Sequence, residues 1–138
     1  MFFKKQENKM ENNFLIKVCA LLIHAAKIDE NYTDSEEEII KKTLLELGNP
    51  QKDISQIIKE AKIIEENSNQ ILDFTKEVKN LPYKDKIKII EALWSIIYSN
   101  KDADMYETNL MRRLAGLLYI DNKTMGDIKN KIIKENSQ

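Results

Sequence analysis

Apolar residues recur every three or four positions along almost the whole chain, which is the spacing that gives a helix one buried face. Residues that interrupt helices are scarce, with 3 glycines and 2 prolines among 138 residues. The pattern therefore predicts an all-α protein, a compact bundle of about seven helices. The predicted helices run approximately over residues 13–28, 34–48, 52–67, 69–80, 82–99, 105–118 and 122–134.

The first and fifth predicted helices, 13–28 and 82–99, are apolar on nearly all sides. Such a helix must be covered by neighbours all round, so we expect these two to lie at the centre of one shared core. The polar residues 1–12 are predicted to be a frayed or disordered N-terminal segment. The remaining residues, 13–138, are predicted to form a single helical domain.

Residues 21–48 and 92–119 share a pattern at an offset of 71 residues: a buried helix, an acidic turn, a capping box, a basic pair and an apolar stripe. Thr33 with Glu36 forms the first predicted capping box, and Asp104 with Glu107 the second. Only three aligned positions are identical, so the repeat rests on the order of these features. We predict a bundle with pseudo-two-fold symmetry.

The two acidic turns are the candidate site, because carboxylate and amide oxygens are ligands for hard divalent cations. An EF-hand is excluded, since Met105 and Met111 stand where that loop needs Gly and Glu. The predicted cation ligands, approaching one another across the pseudo-two-fold axis, are Asp29, Glu36, Asn100, Asp102, Asp104 and Glu107. The alternative is that the acids at the two helix starts only cap helices and complement their dipoles. No other cofactor is predicted.

His24 is the only histidine and Cys19 the only cysteine. A single histidine in an apolar helix is typical of a hydrogen-bonded structural residue, and Cys19 occupies a position suited to a small buried hydrophobe. No Ser-His-Asp set, phosphate loop or nucleophile elbow is present, so we expect no enzymatic activity. A lone cysteine forms no intramolecular disulfide, which fits a reducing cytoplasm.

Two further groups of residues on the fifth predicted helix favour structural roles. Trp94 and Tyr98 lie one turn apart and are predicted to belong to the core. Lys84, Lys86 and Lys88 alternate along the start of the helix. Since alternate residues do not share a helical face, the three are predicted to be solvated rather than to form one basic site.

Charge and hydropathy limit the partners. With 22 basic and 23 acidic residues the net charge is −1, which offers no general attraction for nucleic acid. The apolar run from Val18 to Ile23 is far shorter than the roughly 20 residues of a membrane-spanning helix. We therefore expect no membrane span, no export signal and a cytoplasmic location.

The second repeat unit contains, in order, Glu91-Ala92-Leu93-Trp94, the acids Asp102 and Asp104, Tyr106-Glu107 and Arg112-Arg113. This order, with AAKIDENYTDSEEEIIKK in the first unit, resembles the tellurite-resistance protein B (TerB) family, which is related to the N-terminal domain of DjlA-type co-chaperones. The resemblance covers about residues 14–119. The chain departs from the family's Asp-Gly turns, because it reads Asp29-Glu30 and Asn100-Lys101 there.

The resemblance implies a cytoplasmic helical bundle that is linked to tellurite or another chemical stress and associates with a metal ion. The leading hypothesis is a non-enzymatic binding module that takes a cation at the acidic turns or a protein partner. The alternative is a protein-interaction adaptor with an apolar groove, for which the candidate residues are Ile63, Phe74 and Tyr83. The partner's identity stays open, and a second copy of the chain is one candidate.

Overall fold

The computed structural model describes residues 2–28, 33–48, 54–68, 71–99 and 105–136. For residues 2–12, 77 and 105–107 it describes the backbone alone. Seven helices and no strand occur in these ranges, which confirms the all-α prediction. The helices are α1 Phe2–Ala26, α2 Asp34–Glu46, α3 Ile54–Asn67, α4 Leu72–Val78, α5 Tyr83–Tyr98, α6 Met105–Leu117 and α7 Asn122–Asn136.

Two helix starts differ from those predicted. Helix α1 begins at Phe2 rather than near Asn13, and no glycine or proline lies between these positions to stop it. Whether residues 1–12 form a separate segment stays a prediction. Helix α4 begins at Leu72, because the Ile71 carbonyl accepts its first backbone hydrogen bonds, and the Ser68 hydroxyl instead donates to the Asp73 side chain.

Helix α1 is the centre of the bundle, as its apolar sequence predicts, and it packs against α2, α3, α4 and α5. Helix α5 in turn contacts α2 and α7, and α6 contacts α7. The buried side chains of α1 are Leu15, Val18, Cys19, Ala20, Leu21, Leu22, Ile23, Ala25 and Ala26. Each large aliphatic side chain buried in this way contributes about 1.5–3 kcal/mol to stability.

One part of the packing follows the sequence repeat. The repeat aligns α1 with α5, and α3 packs on α1 as α7 packs on α5. Helix α5 buries Ile89, Ile90, Leu93, Ile96 and Ile97 in the core that it shares with α1. The predicted pairing of the two most apolar helices is therefore confirmed.

The residues that follow α2 and α6 adopt left-handed backbone conformations that end the helices. Gly48, two residues after the end of α2, has a φ of 101°, a conformation that glycine adopts without strain. Two residues after the end of α6, Tyr119 lies in the left-handed region at a φ of 59°, and the Ile120 amide donates to the Ala115 carbonyl at 2.9 Å. This is a Schellman motif with tyrosine at the position where glycine is usual.

Candidate functional site

The first predicted capping box is present and encloses a buried carboxylate. Glu36 is 1% exposed. Its Oε1 accepts hydrogen bonds from the Thr33 amide at 2.7 Å and the Thr33 hydroxyl at 3.0 Å, while the Glu36 amide donates to the Thr33 hydroxyl oxygen at 3.2 Å. The negative charge lies in the first turn of α2, where it complements the helix dipole. The chemistry seen at Glu36 is that of a helix cap.

A second buried carboxylate, Glu65, joins α3 to α1. Its Oε1 accepts a hydrogen bond from the Lys27 ammonium at 2.7 Å, and its Oε2 lies 3.3 Å from His24 Nδ1. The His24 ring also contacts the Phe74 ring, with centroids 6.2 Å apart. The prediction that His24 is a hydrogen-bonded structural residue is confirmed. Sequence reasoning missed Glu65, although it continues the stripe formed by Ile54, Ile57, Ile58 and Ala61.

The thiol of Cys19 is enclosed by the core, as predicted. Burial raises its pKa to about 12, because the thiolate loses its hydration there. The reactive form of a cysteine is the thiolate, so Cys19 is inert near neutral pH while the protein is folded.

An apolar groove runs along the surface between α1 and α3 and continues toward α4. We call it the α1–α3 groove, with Ile16, Ile63 and Ile64 as its apolar residues and Lys17, Glu60, Asp73 and Lys76 as its charged residues. It consists of two adjacent hollows of about 440 and 490 Å³ that share Lys17, Ile63 and Ile64. Ile63 is 52% exposed, more than the other large aliphatic side chains that the structure describes.

The groove differs in composition from the one predicted. Ile63 belongs to it, but Phe74 does not, since Phe74 is 1% exposed and packs beneath the surface against His24. The prediction for Phe74 was wrong because α4 is only seven residues long, too short for its apolar spacing to define the buried face. Tyr83 is exposed as expected, but it lies at the start of α5, where its hydroxyl donates to Thr124 on α7.

Residues 15–130 match the family model described as Tellurite resistance protein TerB. The chain belongs to the TerB family. The match covers most of the chain and includes all seven helices at least in part. No curated protein and no solved structure is significantly similar to this TerB chain.

The predicted cation ligands of this TerB domain fall largely outside the described residues. Asp29, Asn100, Asp102 and Asp104 all lie there, and Glu107 lies in α6 with its side chain outside the description. Glu36 is thus the one predicted ligand with a described side chain. Within the described ranges, no three His, Cys, Asp or Glu side chains lie close enough together to hold a metal ion. The second capping box and the shared cation site stay predictions.

Helix α5 of the TerB domain confirms one prediction and corrects another. Trp94 is buried and stacks on Tyr98, with ring centroids 5.9 Å apart, so both belong to the core as predicted. The prediction that Lys86 is solvated was wrong. Its methylene chain is buried. Its ammonium donates a hydrogen bond to the Leu118 carbonyl at 3.0 Å, and the same ammonium lies 5.5 Å from the centre of the Tyr119 ring. A lysine can occupy such a site because its head group reaches a polar partner beyond the apolar stem.

In the described part of the TerB domain, no helix combines the length and the apolar character needed to cross a membrane.

Proposed function

We propose that this TerB domain is a non-enzymatic, cytoplasmic binding module that takes up a partner protein through the α1–α3 groove during the response to tellurite or another chemical stress. The observation that carries the proposal is Ile63, which stands 52% exposed beside the half-buried Ile16 and Ile64. An exposed isoleucine that adjoins two half-buried ones gives a partner protein an apolar surface to pack against.

The chemistry around the groove favours an amphipathic helix as the bound segment. Its apolar residues come from two neighbouring helices, α1 and α3, so a third helix with an apolar stripe can lie along them. Charges of both signs flank the stripe, with Lys17 and Lys76 opposed by Glu60 and Asp73. A partner helix with acidic and basic residues beside its apolar stripe would be complementary to this rim.

Two observations support binding rather than catalysis. The thiol of Cys19 is buried, with its pKa raised to about 12. The imidazole of His24 is engaged with the Glu65 carboxylate. The one cysteine and the one histidine of the chain, residue types that can serve as nucleophile and base, are thus both engaged in contacts within the bundle.

Affinity capture with a matched pair of variants tests the proposal. Ile63→Glu places a charge in the groove, whereas Ile133→Glu places the same charge at an exposed isoleucine of α7, outside the groove. We expect the wild-type chain and Ile133→Glu to retain a common partner that Ile63→Glu loses. The captured partner is then purified and its affinity measured against all three chains. Equal affinity for the two variants would argue against the groove.

Cation association is a second candidate function, favoured by the buried carboxylate of Glu36 beside the first acidic turn. A carboxylate that has lost its hydration gains from a nearby positive charge. Addition of magnesium or calcium to ¹⁵N-labelled protein should then shift the amide resonances of residues 29–36 and 100–107 selectively and to saturation. Shifts spread evenly over the exposed acids would show nonspecific screening and reject this candidate.

A further inference from the structure

Residues 2–12 of α1 have the sequence of a helix that suits the α1–α3 groove. Helix α1 begins at Phe2, so these residues form about three helical turns directly before Asn13, the first residue in the chain that lines the groove. Phe3 and Met10 are seven positions apart, a spacing that places two residues on one face of a helix. Every other residue of the segment except Phe2 is polar or charged. Residues 2–12, which we call the N-terminal turns, are therefore amphipathic.

The N-terminal turns and the rim of the groove have charges that can pair with one another. The turns contain five charged residues of both signs: Lys4, Lys5, Lys9, Glu7 and Glu11. The rim also has charged residues of both signs: Lys17, Lys76, Glu60 and Asp73. None of these four rim side chains forms an ion pair within the described part of the structure. A segment with both signs therefore pairs with the rim without displacing an existing ion pair.

The N-terminal turns cannot occupy the groove of their own chain. Their backbone continues in one helix into the turns that hold Asn13, Ile16 and Lys17, which themselves line the groove. No glycine, proline or serine occurs between Phe2 and Lys17, so nothing in the sequence favours a kink that would fold the helix back. A second copy of the chain has no such restriction. Two copies related by a two-fold axis each present the same segment and the same groove, so both contacts form together.

We infer that the chain forms a two-fold symmetric dimer in which the N-terminal turns of each copy lie in the α1–α3 groove of the other. Phe3 and Met10 of one copy pack against the exposed Ile63 of the second copy and the half-buried isoleucines beside it. This inference rests on the proposed function, because it takes the groove to be a protein-binding surface and names an occupant for it. A stress partner that enters the groove competes with the N-terminal turns.

Sedimentation velocity of the full-length chain, at concentrations up to roughly 0.3 mM, tests the dimer. We expect a concentration-dependent dimer whose dissociation constant rises at least about tenfold in Ile63→Glu, which alters the groove, and in Met10→Glu, which alters the turns. Ile133→Glu and Asn8→Glu are the matched controls and should dimerise as the wild type does, because Ile133 lies on α7 and Asn8 is not at the spacing that Phe3 and Met10 share. A wild-type chain that stays monomeric, or equal effects of the variants and their controls, would overturn the inference.

Crosslinking between isotopically distinct copies identifies the contact itself. A chain with a photoreactive amino acid at position 63 is mixed with ¹⁵N-labelled wild-type chain, irradiated and digested for mass spectrometry. We expect position 63 to be joined to ¹⁵N-labelled residues within 2–12, and the same amino acid at position 133 to give no such product. Crosslinks to ¹⁵N-labelled residues elsewhere in the chain, or none between copies, would show that the N-terminal turns do not occupy the groove.

The dimer and the proposed function fail separately. A monomeric wild-type chain whose captured partner is lost in Ile63→Glu would refute the dimer and leave the groove as a site for another protein. A dimer with the expected crosslink, together with a captured partner that binds Ile63→Glu and Ile133→Glu equally, would refute the partner proposal and leave the dimer.

Discussion

The Lys27 ammonium, one residue after the end of α1, lies 2.7 Å from the Glu65 carboxylate on α3, and this pair links the end of α1 to α3. The Glu65 side chain is 9% exposed, whereas the Lys27 side chain is 42% exposed. His24 completes the set at the other carboxylate oxygen. The buried Glu65 carboxylate therefore lies between two partners, one in the last turn of α1 and one just after it.

Replacing Glu65 with Gln should destabilise the protein. The substitution removes the charge that Lys27 and His24 share, and because both partners are partly exposed we expect a loss of only about 1–2 kcal/mol in the free energy of unfolding. Urea unfolding followed by circular dichroism measures it. Glu66→Gln, at the exposed next position, is the control and should change stability by less than about 0.5 kcal/mol. Equal effects of the two variants would show that the network contributes nothing.

The first capping box should contribute measurably to stability. Thr33→Ala removes the hydroxyl that accepts the Glu36 amide and donates to its carboxylate, which should cost about 1 kcal/mol. The exposed Ser35→Ala, two residues along, is a suitable control. Thermal unfolding of the three proteins compares them. A Thr33→Ala protein as stable as Ser35→Ala would contradict a stabilising cap.

Lys86 should behave as a structural residue rather than as a surface charge. Lys86→Met keeps the buried stem but leaves the Leu118 carbonyl without its donor, so we expect a loss of about 2 kcal/mol in the free energy of unfolding. The control is Lys84→Met, because Lys84 lies two residues earlier on the same helix and is exposed. This substitution should leave the free energy of unfolding nearly unchanged. Chemical denaturation distinguishes the two. If both substitutions are neutral, water replaces the ammonium at no cost.

Cys19 should make stability depend on alkaline pH. The unfolded thiol ionises near its ordinary pKa of 9.0, whereas the folded thiol keeps its proton until about pH 12. Between these values the unfolded state binds fewer protons than the native state, so the free energy of unfolding falls as pH rises. Urea unfolding at pH 8 and pH 10 should show a smaller decrease for Cys19→Ala than for the wild type. Equal decreases would assign the effect to other groups.

The reactivity of the Cys19 thiol toward a disulfide reagent independently tests its burial. A disulfide reagent such as Ellman's should label Cys19 in urea and leave it unlabelled in the native protein, because the thiol is fully buried. Rapid labelling of the folded chain at pH 8 would show that α1 opens locally.

The fold could be predicted from the sequence because its strongest signals are long and regular. Helices α1 and α5 are apolar on nearly all sides, and that composition alone requires them to be central. Short helices and single residues were predicted less well, because their sequence pattern is shorter. Phe74 lies in a seven-residue helix where any face could be the buried one, and Lys86 combines a stem that packs like an apolar residue with a head that needs a polar partner.

The candidate site was harder to predict, for a physical reason. Aspartate and glutamate at the start of a helix can either cap the helix or bind a cation. Because both roles use the same residue types, the spacing of these residues does not distinguish a cap from a cation site. Glu65 was missed because its partners, His24 and Lys27, lie about forty positions earlier in the chain. The groove depends on which apolar residues remain uncovered after packing. Ile63 could be predicted because it lies outside the helical stripe that contains the buried Ile57, whereas Ile16 and Ile64 were not predicted to line a groove.

Site-specific photo-crosslinking tests the central claim, that the α1–α3 groove binds a partner protein, most directly. A photoreactive amino acid is placed at Ile63 in one chain and at Ile133 in another, and both are irradiated in stressed cells. We predict that position 63 yields a covalent complex with one defined protein and that position 133 does not. Equal crosslinking at both positions, or none at position 63, would contradict the account.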